Sequence, residues 1–91
     1  MALPDRTWRD HPMVLGRRYV ARRTFGAAPG QRFVAGGRYT LRSVGHSHHD
    51  ARTVFTFEET STGTLHTWWW SDDAPVDECD ELFAPATPED A

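Results

Sequence analysis

The chain has 91 residues and a net charge of -3, with 38% hydrophobic and 25% charged residues, which leaves room for one domain with one modest core. All ten basic residues are arginine, which excludes mechanisms that need a lysine, such as a Schiff base or the lysine of a P-loop. The single cysteine, Cys79, excludes an internal disulfide and a zinc site built from several cysteines.

The charges are segregated along the sequence. Every arginine lies at or before Arg52, whereas only Asp5, Asp10 and Asp50 of the 13 acidic residues precede it. We interpret the two halves as neutralising each other across one small fold, and the alternative is a dipolar surface that steers a charged partner. No window resembles a membrane span or a secretory signal, so the sequence predicts a cytoplasmic protein without a membrane partner.

Domain boundaries follow from the prolines and the charge pattern. The sequence predicts an irregular N-terminal arm over residues 1–13, which is either held to the domain by Trp8 or frayed. Residues 14–84 form the single predicted domain, and residues 85–91 form an acidic C-terminal tail.

The first predicted strand covers residues 14–25. In it Tyr19 and Ala21 lie on one face, because side chains alternate along a strand. Glycine and proline in residues 26–30 then predict an exposed loop.

A second strand follows the glycine pair Gly36-Gly37, which permits a tight turn with positive backbone angles. Strict alternation then predicts one shared face for three residues, namely Tyr39, Leu41 and Ser43.

The next two strands form a predicted hairpin. A polar loop at residues 45–50 precedes a strand at 52–59, and a short turn at 60–63 leads into a strand at 64–71. Five strands with short connections in so few residues favour a strongly bent antiparallel sheet that closes into a barrel.

The register of this hairpin decides which tryptophan faces outward. With a four-residue loop Phe55 pairs with Trp68, which places Trp68 and Trp70 in the core and Trp69 on the opposite face. With a three-residue loop and Gly63 in the left-handed conformation, Phe55 pairs with Trp69 instead. We favour the four-residue loop because it buries more apolar surface.

Near the C-terminus, residues 76–83 predict one or two helical turns. Their spacing presents four apolar side chains to the body of the domain, namely Val76, Cys79, Leu82 and Phe83.

The segment Phe33-x-x-Gly36-Gly37-x-Tyr39-x-Leu41 resembles the strand entry of SH3-like barrels. The resemblance implies an all-β fold, an SH3-like small barrel of about five strands with a short helical turn near the C-terminus. Gly37 stands where that family usually has an acid, and the tyrosine-rich opening and closing Pro-x-x-Tyr of peptide-binding SH3 domains are missing. The whole pattern is also similar to small bacterial proteins of unknown function.

The residues with recognition chemistry are aromatic, cationic and acidic. An outward Trp69 with Arg42 and Arg52 is typical of a protein interface, where tryptophan and arginine are enriched. Asp72 and Asp73 begin an acidic edge that extends to Glu81. The sequence therefore predicts a non-enzymatic protein-interaction module, such as an adaptor, regulator or inhibitor.

A rival interpretation is a nucleic-acid-binding barrel that uses aromatic stacking and a stripe of arginines, although a pI of 5.9 is low for that role. The stripe would comprise Arg17, Arg18, Arg22, Arg23, Arg32, Arg38, Arg42 and Arg52.

A metal site is the third interpretation, with ligands from one loop and from His66. That loop carries His46, His48, His49 and Asp50. We interpret it as a solvated polar loop and predict no metal and no cofactor. The sequence has no nucleophile elbow and no phosphate loop before a helix, so we predict no catalytic residues.

Overall fold

The computed structural model describes residues 11–26 and 30–86. They form an antiparallel five-stranded sheet in the order β4-β3-β2-β1-β5, with one short helix between the last two strands. The elements are β1 (Arg18–Ala21), β2 (Arg38–Ser47), β3 (Arg52–Glu59), β4 (Leu65–Ser71), α1 (Asp77–Leu82) and β5 (Phe83–Pro85). The all-β prediction with a short helical segment is confirmed. No helix of the described residues is long and apolar enough to cross a membrane.

The sheet is open rather than closed into the predicted barrel. Strands β4 and β5 are its two edges, and no ladder joins them in the described part of the chain. The reason is that β5 has only three residues and pairs only with β1. Side chains nevertheless bring the edges together, since the rings of Trp68 and Phe83 pack with centroids 5.4 Å apart.

The register of β3 against β4 agrees with the four-residue loop. Phe55 lies opposite Trp68 and Phe57 lies opposite His66. Trp70 is fully buried and Trp68 is 7% exposed, so two of the three indoles enter the core. The three-residue alternative is excluded.

Strand β2 departs from the predicted alternation. A β-bulge between Leu41 and Ser43 adds one residue to β2, so Val44 is buried where Ser43 was expected to face inward. The strand also continues to Ser47, into the predicted loop at residues 45–50. Counting every second residue from Tyr39 predicts the wrong buried face beyond the bulge, because the extra residue exchanges the two faces of the strand.

Strand β1 is shorter than the predicted 14–25, since only Arg18–Ala21 lie in the sheet. The chain then leaves the sheet in a long connection to β2, in which Phe25 and Phe33 form an isolated bridge and stack at 5.0 Å. Phe33 is fully buried and packs edge-on against Phe57 at 5.4 Å. This connection therefore supplies part of the core.

The inner face of the sheet is lined by an aromatic core. From the helical segment Cys79, Leu82 and Phe83 are buried as predicted, but Val76 is 44% exposed because it precedes the helix. Met13, placed in the arm by the sequence, is buried as well.

Of the tail predicted at residues 85–91, Pro85 ends β5 and the N–H of Ala86 donates to the carbonyl of Arg18 at 2.9 Å. Residues 87–91 and the prediction for Trp8 lie outside the described residues.

Ion pairs among the described residues join the basic first part of the chain to its acidic second part. Arg23 Nη2 lies 3.7 Å from Glu81 Oε2, and Arg42 Nε lies 3.1 Å from Glu58 Oε1. Both pairs are solvent-exposed and contribute little stability individually. They agree with the interpretation that the basic first half and the acidic second half of the chain neutralise each other within one fold.

Gly37 is a position where a side chain would disturb the core. A Cβ there would lie 2.8 Å from Tyr39 Oη and 2.9 Å from the Val34 carbonyl oxygen. Because Tyr39 Oη also accepts a hydrogen bond from the Val34 N–H at 3.0 Å, it has little freedom to move. We expect Gly37→Ala to lower the free energy of unfolding by about 1–3 kcal/mol in urea denaturation.

The matched control is Gly45→Ala within β2, where a Cβ would meet no atom within 4 Å. Its unfolding free energy should stay the same or rise by up to about 1 kcal/mol, since alanine loses less backbone entropy on folding. Equal effects of the two variants would contradict the packing described at Gly37.

Candidate functional site

The outer face of the sheet, opposite the aromatic core, is rich in arginine. Tyr19, Tyr39 and Thr53 point inward and are buried, so their strand neighbours point outward. Glu58 is the acidic strand residue on this face among the described residues. The outward arginines are Arg18, Arg38, Arg42 and Arg52.

Trp69 lies on this outer face, on edge strand β4. It is opposite Val54 of β3, which in turn is opposite Gly45 of β2. Trp69 and Val54 are half-buried, and Gly45 contributes no side chain beside them. The indole Nε1 is buried and has no hydrogen-bond partner within residues 11–26 and 30–86. Such a donor favours an incoming group that accepts a hydrogen bond from the indole N–H.

The two predicted arginines stand in different surroundings. Arg52 lies opposite Ser71, so it is the diagonal neighbour of Trp69 across β3 and β4. It is exposed and forms no ion pair with the rest of the described chain. Arg42 lies at the bulge and donates to Glu58, so its charge is partly neutralised. The structure thus places Arg52, more than Arg42, beside the indole.

The predicted acidic edge divides into two kinds of residue. Asp72 pairs with His46, with 3.0 Å between Oδ2 and Nε2, and the two side chains are 17% and 8% exposed. Asp73 is exposed, and its backbone N–H donates to Ser71 Oγ at 3.3 Å. Asp72 therefore joins the end of β2 to the turn after β4, whereas Asp73 is accessible to a partner.

The His46–Asp72 pair was missed because the sequence assigned His46 to a polar loop. The bulge in β2 turns Val44 inward, and His46 follows two residues later on the same face. The sequence feature that could have revealed the bulge is Val44, an apolar residue that does not share the every-second-residue spacing of Tyr39 and Leu41. A histidine oriented by a carboxylate is the arrangement of many general bases, but this pair also bridges two strand ends.

The other histidines of this segment stand mostly in solvent. The His46 and His48 rings meet edge to face at 4.8 Å, while His49 and Asp50 are exposed. Asp50 accepts a hydrogen bond from Ser47 Oγ at 2.9 Å. In the described ranges, no group of three or more His, Cys, Asp and Glu side chains could hold a metal ion.

A second histidine–carboxylate pair lies at the opposite end of the hairpin. His66 Nε2 is 3.2 Å from Glu59 Oε1, and the imidazole packs edge-on against Tyr39 at 5.6 Å. Glu59 also accepts hydrogen bonds from the hydroxyls of Thr62 and Ser61. The Thr62 hydroxyl is the main reason that the pKa of Glu59 lies below its ordinary value of 4.5, with Ser61 and His66 adding to the effect against partial desolvation.

Comparison with known proteins gave no matching protein-family model, no matching curated protein and no matching solved structure. The chemistry of the outer face is therefore inferred from the residues of this chain. Its distinctive features are the buried indole N–H of Trp69 and the adjacent charge of Arg52, which have no partner among the described residues.

Asp72→Ala should destabilise the fold, because it leaves the largely buried His46 without its carboxylate. We expect the free energy of unfolding to fall by about 1–3 kcal/mol. The exposed neighbour provides the control, since Asp73→Ala should change it by less than about 0.5 kcal/mol. Urea denaturation of both variants measures the difference, and equal stabilities would contradict a structural role for Asp72.

Glu59 should make stability depend on pH in the acidic range. Its pKa is lowered in the fold, so its contribution is complete above the ordinary value of 4.5 and is lost as the pH falls through the lower, folded value. The stability lost in Glu59→Gln should therefore be larger near neutral pH than at about pH 3. In a Thr62→Ala background the difference between the two pH values should be smaller. A loss of unfolding free energy in Glu59→Gln that does not change with pH would contradict the lowered pKa of Glu59.

Proposed function

We propose that this protein is a non-enzymatic protein-interaction module that recognises its partner through the outer face of the sheet. The centre of the contact is Trp69, with Arg52 beside it, and Arg42 and Asp73 lie at its periphery. Asp72 supports the contact by holding the turn after β4. An adaptor, a regulator or an inhibitor would each use such a surface.

The observation that carries the proposal is the unsatisfied indole N–H of Trp69 next to an unpaired arginine. A buried donor without an acceptor costs free energy, which an acceptor from a partner would recover. Arg52 is exposed and without an ion-pair partner in the described chain, so it offers a charge at the rim of the same contact. Tryptophan and arginine are also the residues that most often dominate binding energy at interfaces.

We also propose that the open sheet belongs with the SH3-like small barrels and that its edges are joined by side chains. The strand order and the packing of Trp68 on Phe83 support this. Such a relation would concern the fold alone, since one architecture serves many functions. The cytoplasmic location and a bacterial origin belong to the same proposal.

Nucleic-acid binding is the second candidate. It is favoured by the arginines that share the outer face with Trp69, because a basic surface with an aromatic platform suits single strands. The ion pair between Arg42 and Glu58 weakens it by removing one cation from that surface. The two candidates differ in salt dependence, which is steep when arginines displace counterions from phosphates.

Trp69→Ala should leave the protein folded and reduce partner capture by about 30-fold, the loss typical of a dominant interface residue. Leu65→Ala is the control, since Leu65 lies on the same strand and is 57% exposed. The measurement is quantitative capture from native lysate, with and without nuclease and over a range of salt concentrations.

Undiminished capture by a folded Trp69→Ala variant would contradict the interaction module. Retention that disappears with nuclease, and falls steeply with salt, would instead assign the outer face to nucleic acid. Equal losses in Trp69→Ala and Leu65→Ala would show that the contact is not centred on the indole.

A further inference from the structure

The two edges of the sheet differ in how far they are protected against a further strand. Strand β5 has three residues and ends in Pro85, and both features hinder pairing. Strand β4 has seven residues and contains no proline, aspartate, glutamate or arginine. An uncharged edge strand of this length is a template for another extended chain.

The backbone groups of β4 alternate between β3 and the open edge. The N–H of Glu59 donates to the carbonyl of Thr64 at 2.8 Å, and the N–H of Asp72 donates to the carbonyl of Ala51 at 2.9 Å. Both bonds place even-numbered residues of this segment toward β3. In an antiparallel ladder the residues between them turn their N–H and C=O away, so Trp69 presents both groups to the open edge.

Two positions of this edge are already occupied. The N–H of Thr67 donates to the carbonyl of Gly30 at 2.7 Å, which confirms that odd-numbered residues of β4 point away from β3. Beyond Trp69, the carbonyl of Ser71 accepts from the N–H of Ala74 at 3.0 Å. Within residues 11–26 and 30–86 the backbone N–H and C=O of Trp69 have no partner. The open position therefore coincides with the unsatisfied indole.

The charge next to this position is positive. Arg52 lies opposite Ser71 of the edge strand. The residue between Arg52 and the open edge is therefore a serine, which has a small side chain. An added strand would lie about 10 Å from β3, two strand spacings, which an arginine and a facing glutamate can bridge together. A carboxylate on the outer face of the added strand would thus meet an unpaired cation.

We propose that the partner contributes an extended acidic segment that adds to the sheet as a further strand on β4. It exchanges main-chain hydrogen bonds with Trp69 and places a carboxylate near Arg52. This inference rests on the proposed interaction function and specifies the class of partner. Main-chain pairing supplies affinity, and the carboxylate supplies selectivity for acidic over basic segments.

A second copy of the chain fits this edge less well than a foreign segment. Two copies of β4 paired symmetrically about Trp69 would bring Ser71 of one copy against Thr67 of the other. The Thr67 N–H already bonds to Gly30, whose loop occupies that position. A separate segment can exchange hydrogen bonds with Trp69 without having to pair with Thr67.

The test uses the full chain and four short synthetic peptides with blocked termini. One alternates glutamate and valine, one alternates lysine and valine, and two are forms of the acidic peptide with N-methyl groups at alternate residues, each along a different edge. Amide resonances and hydrogen exchange are followed by NMR during titration to about 1 mM. We expect the acidic peptide to slow exchange of the Trp69 amide by about tenfold and to bind at least about fivefold more tightly than the lysine peptide.

Four variants of the protein separate the contributions. Arg52→Gln should weaken binding of the acidic peptide by about two- to fivefold, whereas Arg17→Gln, the same charge change just before β1, which β2 and β3 separate from β4, should not. Trp69→Val keeps the backbone N–H and Trp69→Pro removes it, a replacement that edge strands tolerate where the N–H faces outward. The proline variant should bind more weakly than the valine variant. N-methylation of the peptide edge that faces β4 tests the same bond without altering the fold.

Each outcome bears on one of the two proposals. Absence of binding to about 1 mM, protection of amides elsewhere than β4, or equal binding of all peptides would overturn the strand addition. If Trp69→Ala also abolishes capture of the cellular partner, the interaction module stands with a different mode of recognition. Protection of the Trp69 amide at high protein concentration without peptide would identify a second copy as the occupant and likewise overturn the inference.

Discussion

The pairing of Phe55 with Trp68 is the constraint on which the other features of this protein depend. The two rings stack at 5.2 Å with planes 20° apart, and the same register buries Trp70. Because successive side chains alternate, burial of Trp68 and Trp70 forces Trp69 to the outer face. A slip by one residue would reverse all three and take Trp68 and Trp70 out of the core.

The same register orients the backbone of the edge strand. Where Trp68 and Trp70 hydrogen-bond to β3, Trp69 turns its own N–H and C=O outward. Among the described residues, the indole N–H of Trp69 and its backbone N–H and C=O therefore have no hydrogen-bond partner, and the register of the hairpin sets the orientation of all three groups. Arg52 joins them because its position opposite Ser71 is set by the same hairpin.

The aromatic core also includes side chains from beyond the four longer strands. Phe33 arrives from the long connection between β1 and β2, and Phe83 arrives from the three-residue β5. Their rings meet at 5.3 Å, and both contact Phe57. Side-chain packing thus joins the two edges, between which the described residues form no hydrogen-bond ladder, and β4 remains an open edge.

Sequence patterns by themselves determined the strands of the hairpin and favoured the register that places Trp69 outward. They left the three-residue loop open, because local alternation and turn length allow both registers. They also grouped Trp69 with Arg42 and Arg52 on one face. Only the tertiary structure decided that Arg42 pairs with Glu58 and that Asp72 pairs with His46, residues 16 and 26 positions apart. A bulge and the long connection set those contacts, and both depend on packing between segments that no local pattern records.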